Sequence, residues 1–332
     1  MGNILNRAYI TNLQQNMREL ADNAFSAVEP VLNYPLITSV ITDEAESVQL
    51  ILPIDADTID HGVDEGEISF SSLEELNLVF NYEHSTKGLE IRRSQFTDGP
   101  RGAKRAADWA RKMGADAAYT PEMLVWRTVV ANPVTQVDQL PLFDTAHLNN
   151  PKNSAKGTYA NLFTGAAASG SPNNPGALRI DAGVAEEDAF ENLGKALAAI
   201  RLVKCADGIT PRHLRARYLF VDPTLEARAR LLAGPTLLNS TDYAGVSRAQ
   251  GLQVVVIPEL ASDNSWYLGV EEIAGSETGA LVYWEREPFT INYLDGLTDA
   301  QLSAMGVFQW HGRGREAVYP GLPFKLYHVL PA

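Results

Sequence analysis

The stretch that decides the fold is residues 98–133, DGPRGAKRAADWARKMGADAAYTPEMLVWRTVVANP. Gly99-Pro100 reads as a helix entrance, because proline at the first helical position gives up only an N–H that has no partner there anyway. Ala103, Ala106, Ala107, Ala110 and Met113 recur at helical spacing as a stripe of small residues. The opposite face is basic, with Arg101, Lys104, Arg105, Arg111 and Lys112. Thr120-Pro121 reads as the capped start of a second helical piece running to about Ala131. The pattern therefore predicts one long, bent helical rod of roughly 30 residues, ~45 Å at helical rise.

Working outward, the segment before the rod is strand-like and strongly acidic. In VQLILPID, Val48, Leu50, Leu52 and Ile54 alternate, as on a half-buried strand. Leu78, Phe80 and Tyr82 alternate in the next run, and Leu89 and Ile91 in the one after, with Gly88 read as the connecting turn. Between them lies DADTIDHGVDEGE, residues 55–67, with the carboxylates Asp55, Asp57, Asp60, Asp64, Glu65 and Glu67. No Lys or Arg occurs from residue 19 to residue 86, a span holding 15 acidic side chains. The whole chain has a net charge of −14, so this one region carries the imbalance. Residues 87–112 reverse it, with eight basic and three acidic residues, among them Arg92 and Arg93. Such asymmetry marks an interaction surface.

Further out, Leu13, Met17, Leu20, Ala24, Phe25 and Val28 predict a helix over residues 11–29, with Thr11 or Asn12 at its start. After the rod, residues 145–176 are rich in Asn, Gly, Ser, Pro and Ala and read as a loop excursion. A compact α/β region follows: a helix at about 184–204, a strand in ARYLFVD, a helix at about 223–233, then strands in LQVVVIP, WYLGV, ALVYW and FTINYL. The tail VFQWHGRGREAVYPGLPFKLYHVL is extended, with bends expected at Gly312, Gly314, Pro320 and Gly321.

Composition narrows the function. At 332 residues and 45% hydrophobic content the chain can build a sizeable core. No apolar run reaches the ~18 residues of a membrane span. The start of the chain lacks the basic and apolar regions of a signal peptide, and Asn6 fails the myristoylation pattern. The single cysteine, Cys205, rules out an internal disulfide and reads as packing. The negative charge argues against general nucleic-acid binding.

Catalytic and metal patterns fail on inspection. The acidic stretch is no EF-hand, because Ile59 and Asp60 stand where a ligand and the turn glycine belong. HGRGREA, residues 311–317, has too little chain after it for a dinucleotide fold, and GSETG, residues 275–279, is not a nucleophile elbow. In FDTAH, residues 143–147, Asp144 and His147 could serve a hydrolase or metal enzyme as an acid/base pair or two ligands. The competing structural reading is an Asp turn with a hydrogen-bonded histidine. No catalytic residue, metal ligand or cofactor is assigned.

The order of elements and five local stretches carry a resemblance. LPLFDTAHLNNP, GTYANLF, RHLRARYLFVDPTLEARARLLA, LVYWEREPFTI and VFQWHGRGREAVY resemble the Mu-like (gpT-type) prophage major head subunit family. The resemblance runs over about residues 77–332 and implies an α+β major capsid protein of the Hong Kong 97 fold. It implies an N-terminal arm over 1–45, an extended E-loop over 46–96 and a P domain with its spine helix over 97–174. An A domain would occupy 175–295, and 296–332 would return to the P domain. It further implies homo-hexamers and homo-pentamers in a tailed-phage shell assembled in the bacterial cytoplasm around double-stranded DNA, held by weak nonspecific contact. Scaffold, portal and decoration proteins are the other implied partners, and no membrane is involved. The acidic E-loop would clamp basic groups of an adjacent subunit, with Arg92, Arg93, Arg101, Lys104, Arg105, Arg111 and Lys112 as candidates. With no Lys in the loop before Lys87, the Lys–Asn cross-link of the founding member is not expected.

Overall fold

A computed structural model describes residues 7–29, 32–42, 47–52, 74–79, 82–97, 100–164, 173–233, 251–260, 263–272, 278–293 and 306–331. In chain order the elements are α1 (Arg7–Val28), β1 (Thr38–Thr42), β2 (Ser47–Leu52), β3 (Glu74–Val79) and β4 (Glu83–Arg92). Then come α2 (Ser94–Thr97), α3 (Arg101–Ala131), β5 (His147–Leu148), β6 (Thr158–Tyr159), β7 (Leu162–Phe163), α4 (Glu186–Arg201) and β8 (Leu214–Val221). The chain continues through α5 (Glu226–Ala233), β9 (Gln253–Val256), β10 (Trp266–Glu272), β11 (Leu281–Tyr293), β12 (Val307–Pro320) and β13 (Leu326–Val329).

Two sheets organise these elements. One has the order β1-β11-β12-β4, and the other β7-β13-β10-β8-β9. β2 and β3 form a separate two-stranded antiparallel ribbon. The first sheet and its two helices share a core of Ile10, Leu13 and Met17 from α1, Ala106, Ala110 and Met113 from α3, and Ile91, Ile291, Phe308 and Trp310 from the strands. α4 and α5 pack on the second sheet through Phe190, Leu193, Ile200, Ala229 and Leu232. A third cluster joins the halves: Val125, Trp126 and Val129 of α3 meet Phe220, Tyr267 and Leu281. The long helix thus packs on one sheet with its first half and reaches the other with its second.

α3 is a single helix of 31 residues that runs through Pro121, the one long rod that the spacing predicts. Proline removes one backbone bond and crowds the preceding turn. Here the Thr120 hydroxyl donates to the Asp116 carbonyl at 2.8 Å, and Pro121 is buried. The helix stops at Asn132 in the left-handed region, φ 49°. The Asn132 side chain accepts from Phe143 N at 2.7 Å and donates to Phe143 O at 3.2 Å, which fixes the exit of the chain.

Other local expectations are corrected. α1 begins at Arg7 rather than at a Thr11 cap, and the Thr11 hydroxyl donates back to Arg7 O at 2.9 Å. Its apolar stripe serves the chain's own core, because α1 lies on α3 so closely that Gly114 faces the Ala21 backbone. Gly88 is no turn: it sits inside β4, opposite His311 of β12. The two strands read in ALVYW and FTINYL are one strand, β11, with register shifts on either side of Glu287. Those bulges accommodate Pro288, which a regular central strand cannot hold. Gly312 and Gly314 lie within β12 rather than at bends, and a Cβ at Gly312 would stand 2.3 Å from the Phe289 ring. Their smallness seats Phe289.

Candidate assembly interface

The outward face of α3 collects most of the basic candidates. Eighteen residues are five helical turns, so Arg101 and Tyr119 lie on the same line of the helix. In the first half, Arg101, Lys104, Arg105, Arg111 and Lys112 are all exposed. Arg105 donates to Gln95 Oε1 of α2 at 2.9 Å, which ties the start of α3 to the end of β4. Arg92 is exposed at that strand end, and the half-buried Arg93 bonds Gly306 O through its backbone N–H. The structure thus gathers the seven basic candidates around the start of α3 and the end of β4. Among the described residues only Arg111 of the seven has an ion-pair partner, Asp108 at 3.0 Å, and both are about half exposed. The six acidic candidates, Asp55, Asp57, Asp60, Asp64, Glu65 and Glu67, lie outside the described residues.

The second half of the same face is apolar. Tyr119 (52% exposed), Met123 (49%) and Val130 (48%) follow the basic groups, with Val134 (57%) just past the helix. Large apolar side chains exposed in a row mark a surface that is covered in an assembly. Sequence reasoning missed this strip because it followed the outward face of the expected rod only as far as Lys112. Counting five continuous turns on from Arg101 would have found it.

Between α1, α3 and the first sheet runs a trough of about 1,040 Å³, bordered by Asp22, Glu29, Asp116, Glu285, Glu287 and Glu316 with Arg18, Lys87 and Lys112. Glu316 is buried and accepts from Tyr283 Oη at 2.7 Å and Ser85 Oγ at 2.6 Å. Burial, then the charges of Glu316 and Glu29, push the Glu285 carboxyl above its usual range. α1 is held over the trough by Arg18, which donates to Ile291 O at 2.8 Å.

The enzyme alternative does not form a site. Asp144 Oδ1 accepts from Ala146 N at 2.8 Å, a local turn. His147 is fully buried, with Nδ1 2.6 Å from Asp138 Oδ2 and Nε2 3.3 Å from Leu142 O. Its partner is therefore Asp138 and not Asp144, and the ring stacks on Tyr159. Burial raises the Asp138 pKa, but the hydrogen bond and charge of His147 outweigh it and hold the carboxyl below its usual range. The pair fastens a loop and offers no open face to a substrate. Among the described residues no three His, Cys, Asp or Glu side chains converge as metal ligands.

Comparison with known structures places this architecture. The procapsid protein of bacteriophage JBD30 superposes with a TM-score of 0.51 at 16% identity, over 99% of this chain and 77% of that one. The mature capsid protein of bacteriophage PhiM1 gives 0.51 at 12% identity, over 91% and 87%. The capsid protein of cyanophage P-SCSP1u gives 0.50 at 13% identity, over 90% and 86%. At such identities the likeness establishes the fold, which is the Hong Kong 97 type of shell-forming phage proteins. No curated protein matches the sequence. A model of the phage capsid protein family matches residues 106–318, and the chain belongs to that family. It is a structural major capsid protein whose place is the virion shell.

Proposed function

We propose that this chain forms the hexamers and pentamers of an icosahedral tailed-phage shell of the Mu-like type, and that its acidic segment clamps a neighbouring subunit. The observation that carries the clamp is the set of seven cations around the start of α3, of which only Arg111 has an ion pair among the described residues. Against it stands a segment of the same chain with 15 carboxylates and no cation. Complementary charge of this kind sets register and encounter rate more than affinity. Each exposed pair contributes little, and a shell repeats it at every subunit.

In this reading residues 1–45 are the N-terminal arm, 46–96 the E-loop with β4 as its root, and 97–174 the P domain with α3 as its spine. Residues 175–295 form the A domain, which β11 anchors to the first sheet, and 296–332 return through β12. The shell assembles in the host cytoplasm with scaffold, portal and decoration proteins as candidate partners. Its contacts to the enclosed double-stranded DNA are weak and nonspecific.

The test replaces Asp55, Asp57, Asp60, Asp64, Glu65 and Glu67 by Asn or Gln and follows particle formation by light scattering across a salt titration. Wild-type assembly is expected to weaken as salt rises through about 0.15 M, where the screening length falls to ~8 Å. The neutralised chain is expected to assemble poorly and to lose that dependence. Assembly with the wild-type salt dependence would overturn the clamp.

A further inference from the structure

The first sheet ends in two strands, β1 and β4, that have no neighbour on their outer sides among the described residues. β4 carries Glu83, Lys87, Glu90 and Arg92, and charge is a usual protection of an edge against strand addition. β1 has the sequence Thr38-Ser39-Val40-Ile41-Thr42, with no charge and four β-branched residues. Its pairing phase is fixed by the bond from Leu281 N to Ile37 O. In parallel pairing the bonded residues alternate, so Ser39 and Ile41 turn their backbone groups to β11. Thr38, Val40 and Thr42 present theirs to the outer edge.

A second incomplete pairing lies in the β2–β3 ribbon, six residues long and, among the described residues, only two strands wide. A two-stranded sheet is marginal in water and is stabilised by a third strand. β2, Ser-Val-Gln-Leu-Ile-Leu, is uncharged like β1, whereas β3 opens with Glu74 and Glu75. Residues 43–46 link β1 to β2 within the chain, yet the two strands do not pair with each other.

We infer that the outer edge of β1 accepts strand β2 of a second copy, so that the neighbour's ribbon extends the four-stranded sheet across the subunit boundary. Main-chain bonds at Thr38, Val40 and Thr42 supply the contact, as in other strand additions. The inference rests on the shell reading, because it needs copies side by side.

The discriminating variant is Val40→Pro. Proline is tolerated on an edge strand where the lost N–H faces outward, and the preceding Ser39 is already extended, as proline requires. The variant is expected to fold with the wild-type unfolding midpoint, while particle yield falls by about tenfold or more as the acceptor edge is blocked. In the wild type, hydrogen exchange of a peptide spanning residues 38–42 is expected to slow by about tenfold or more on assembly, as edge amides become bonded. If Val40→Pro does not fold, the exchange measurement on wild-type protein decides alone. Shells from Val40→Pro in wild-type yield, or exchange unchanged by assembly, would overturn the inference and leave the shell reading standing. A wild-type chain that forms no particle with its phage partners would overturn both.

Discussion

Glu122 offers the most direct test of how the chain leading into β1 is held. Its buried carboxylate projects from the middle of α3 and accepts three hydrogen bonds. Asn33 N and Tyr34 N donate to Oε2 at 2.8 and 2.6 Å, and Trp126 Nε1 donates to Oε1 at 2.9 Å. Glu122→Ala leaves all three donors without that acceptor. A buried donor left unpaired costs ~1–3 kcal/mol. The Asn33 and Tyr34 amides are partly accessible to water, so about 1 kcal/mol each is reasonable, against about 2 for the enclosed indole. The sum, about 4 kcal/mol, far exceeds the less than ~0.7 kcal/mol that alanine returns through its better helix propensity. With an unfolding entropy of ~2.1 cal/mol/K per residue, 332 residues give about 0.7 kcal/mol/K, and the melting temperature should fall by about 6 °C. Glu122→Gln keeps one acceptor and should lose about half as much. The assay is thermal unfolding of the unassembled subunit, followed by circular dichroism, with hydrogen exchange at residues 32–42. A Glu122→Ala protein melting within about 1 °C of wild type, with unchanged exchange, would refute the anchoring role.

Two further outcomes follow from packing and titration. A Cβ on Gly114 would lie 2.1 Å from Ala21 O, so Gly114→Val should undock α1 from α3. Limited proteolysis is expected to cut within α1 of the variant and not of the wild type, and equal resistance would contradict the close approach. His328 stacks on Tyr267 at 4.2 Å, and burial lowers its pKa to about 4, with Asp263 opposing. The unfolded ring, near pH 6.5, binds a proton that the folded ring refuses. Stability from this group is therefore complete above about pH 6.5 and is lost as pH falls to about 4, by at most ~3 kcal/mol. Denaturant unfolding should show His328→Phe losing less stability than wild type between those values, and parallel curves would exclude the assignment.

Local pattern made much of this legible. The helical period of residues 101–131, the alternation through ARYLFVD and the extended tail all appear where the sequence places them, because spacing of apolar residues is a local property. The errors have local causes too. Thr120-Pro121 is a strong start signal for a second helical piece, yet the rod stays one helix across it, with Pro121 and Trp126 buried. Pro288 splits a strand on paper, yet bulges around Glu287 carry β11 past it. The acid/base reading of Asp144 and His147 failed because proximity in sequence is not proximity of side chains: the histidine turned to Asp138, nine residues away.

The sequence by itself determined the elements, the partition of charge and, through the ordered set of short stretches, the kind of protein. These depend on neighbours within a few turns of helix or one strand. Tertiary structure alone decided the pairings. β1 lies beside β11 some 240 residues later, with Thr38 opposite Leu281, and β4 lies beside β12, with Arg92 opposite Val307. No local pattern encodes which edge meets which, because the choice depends on closing one core around Phe96, Phe308 and Trp310 from distant segments. The open edge of β1 and the apolar strip after Lys112 exist only once that core has closed.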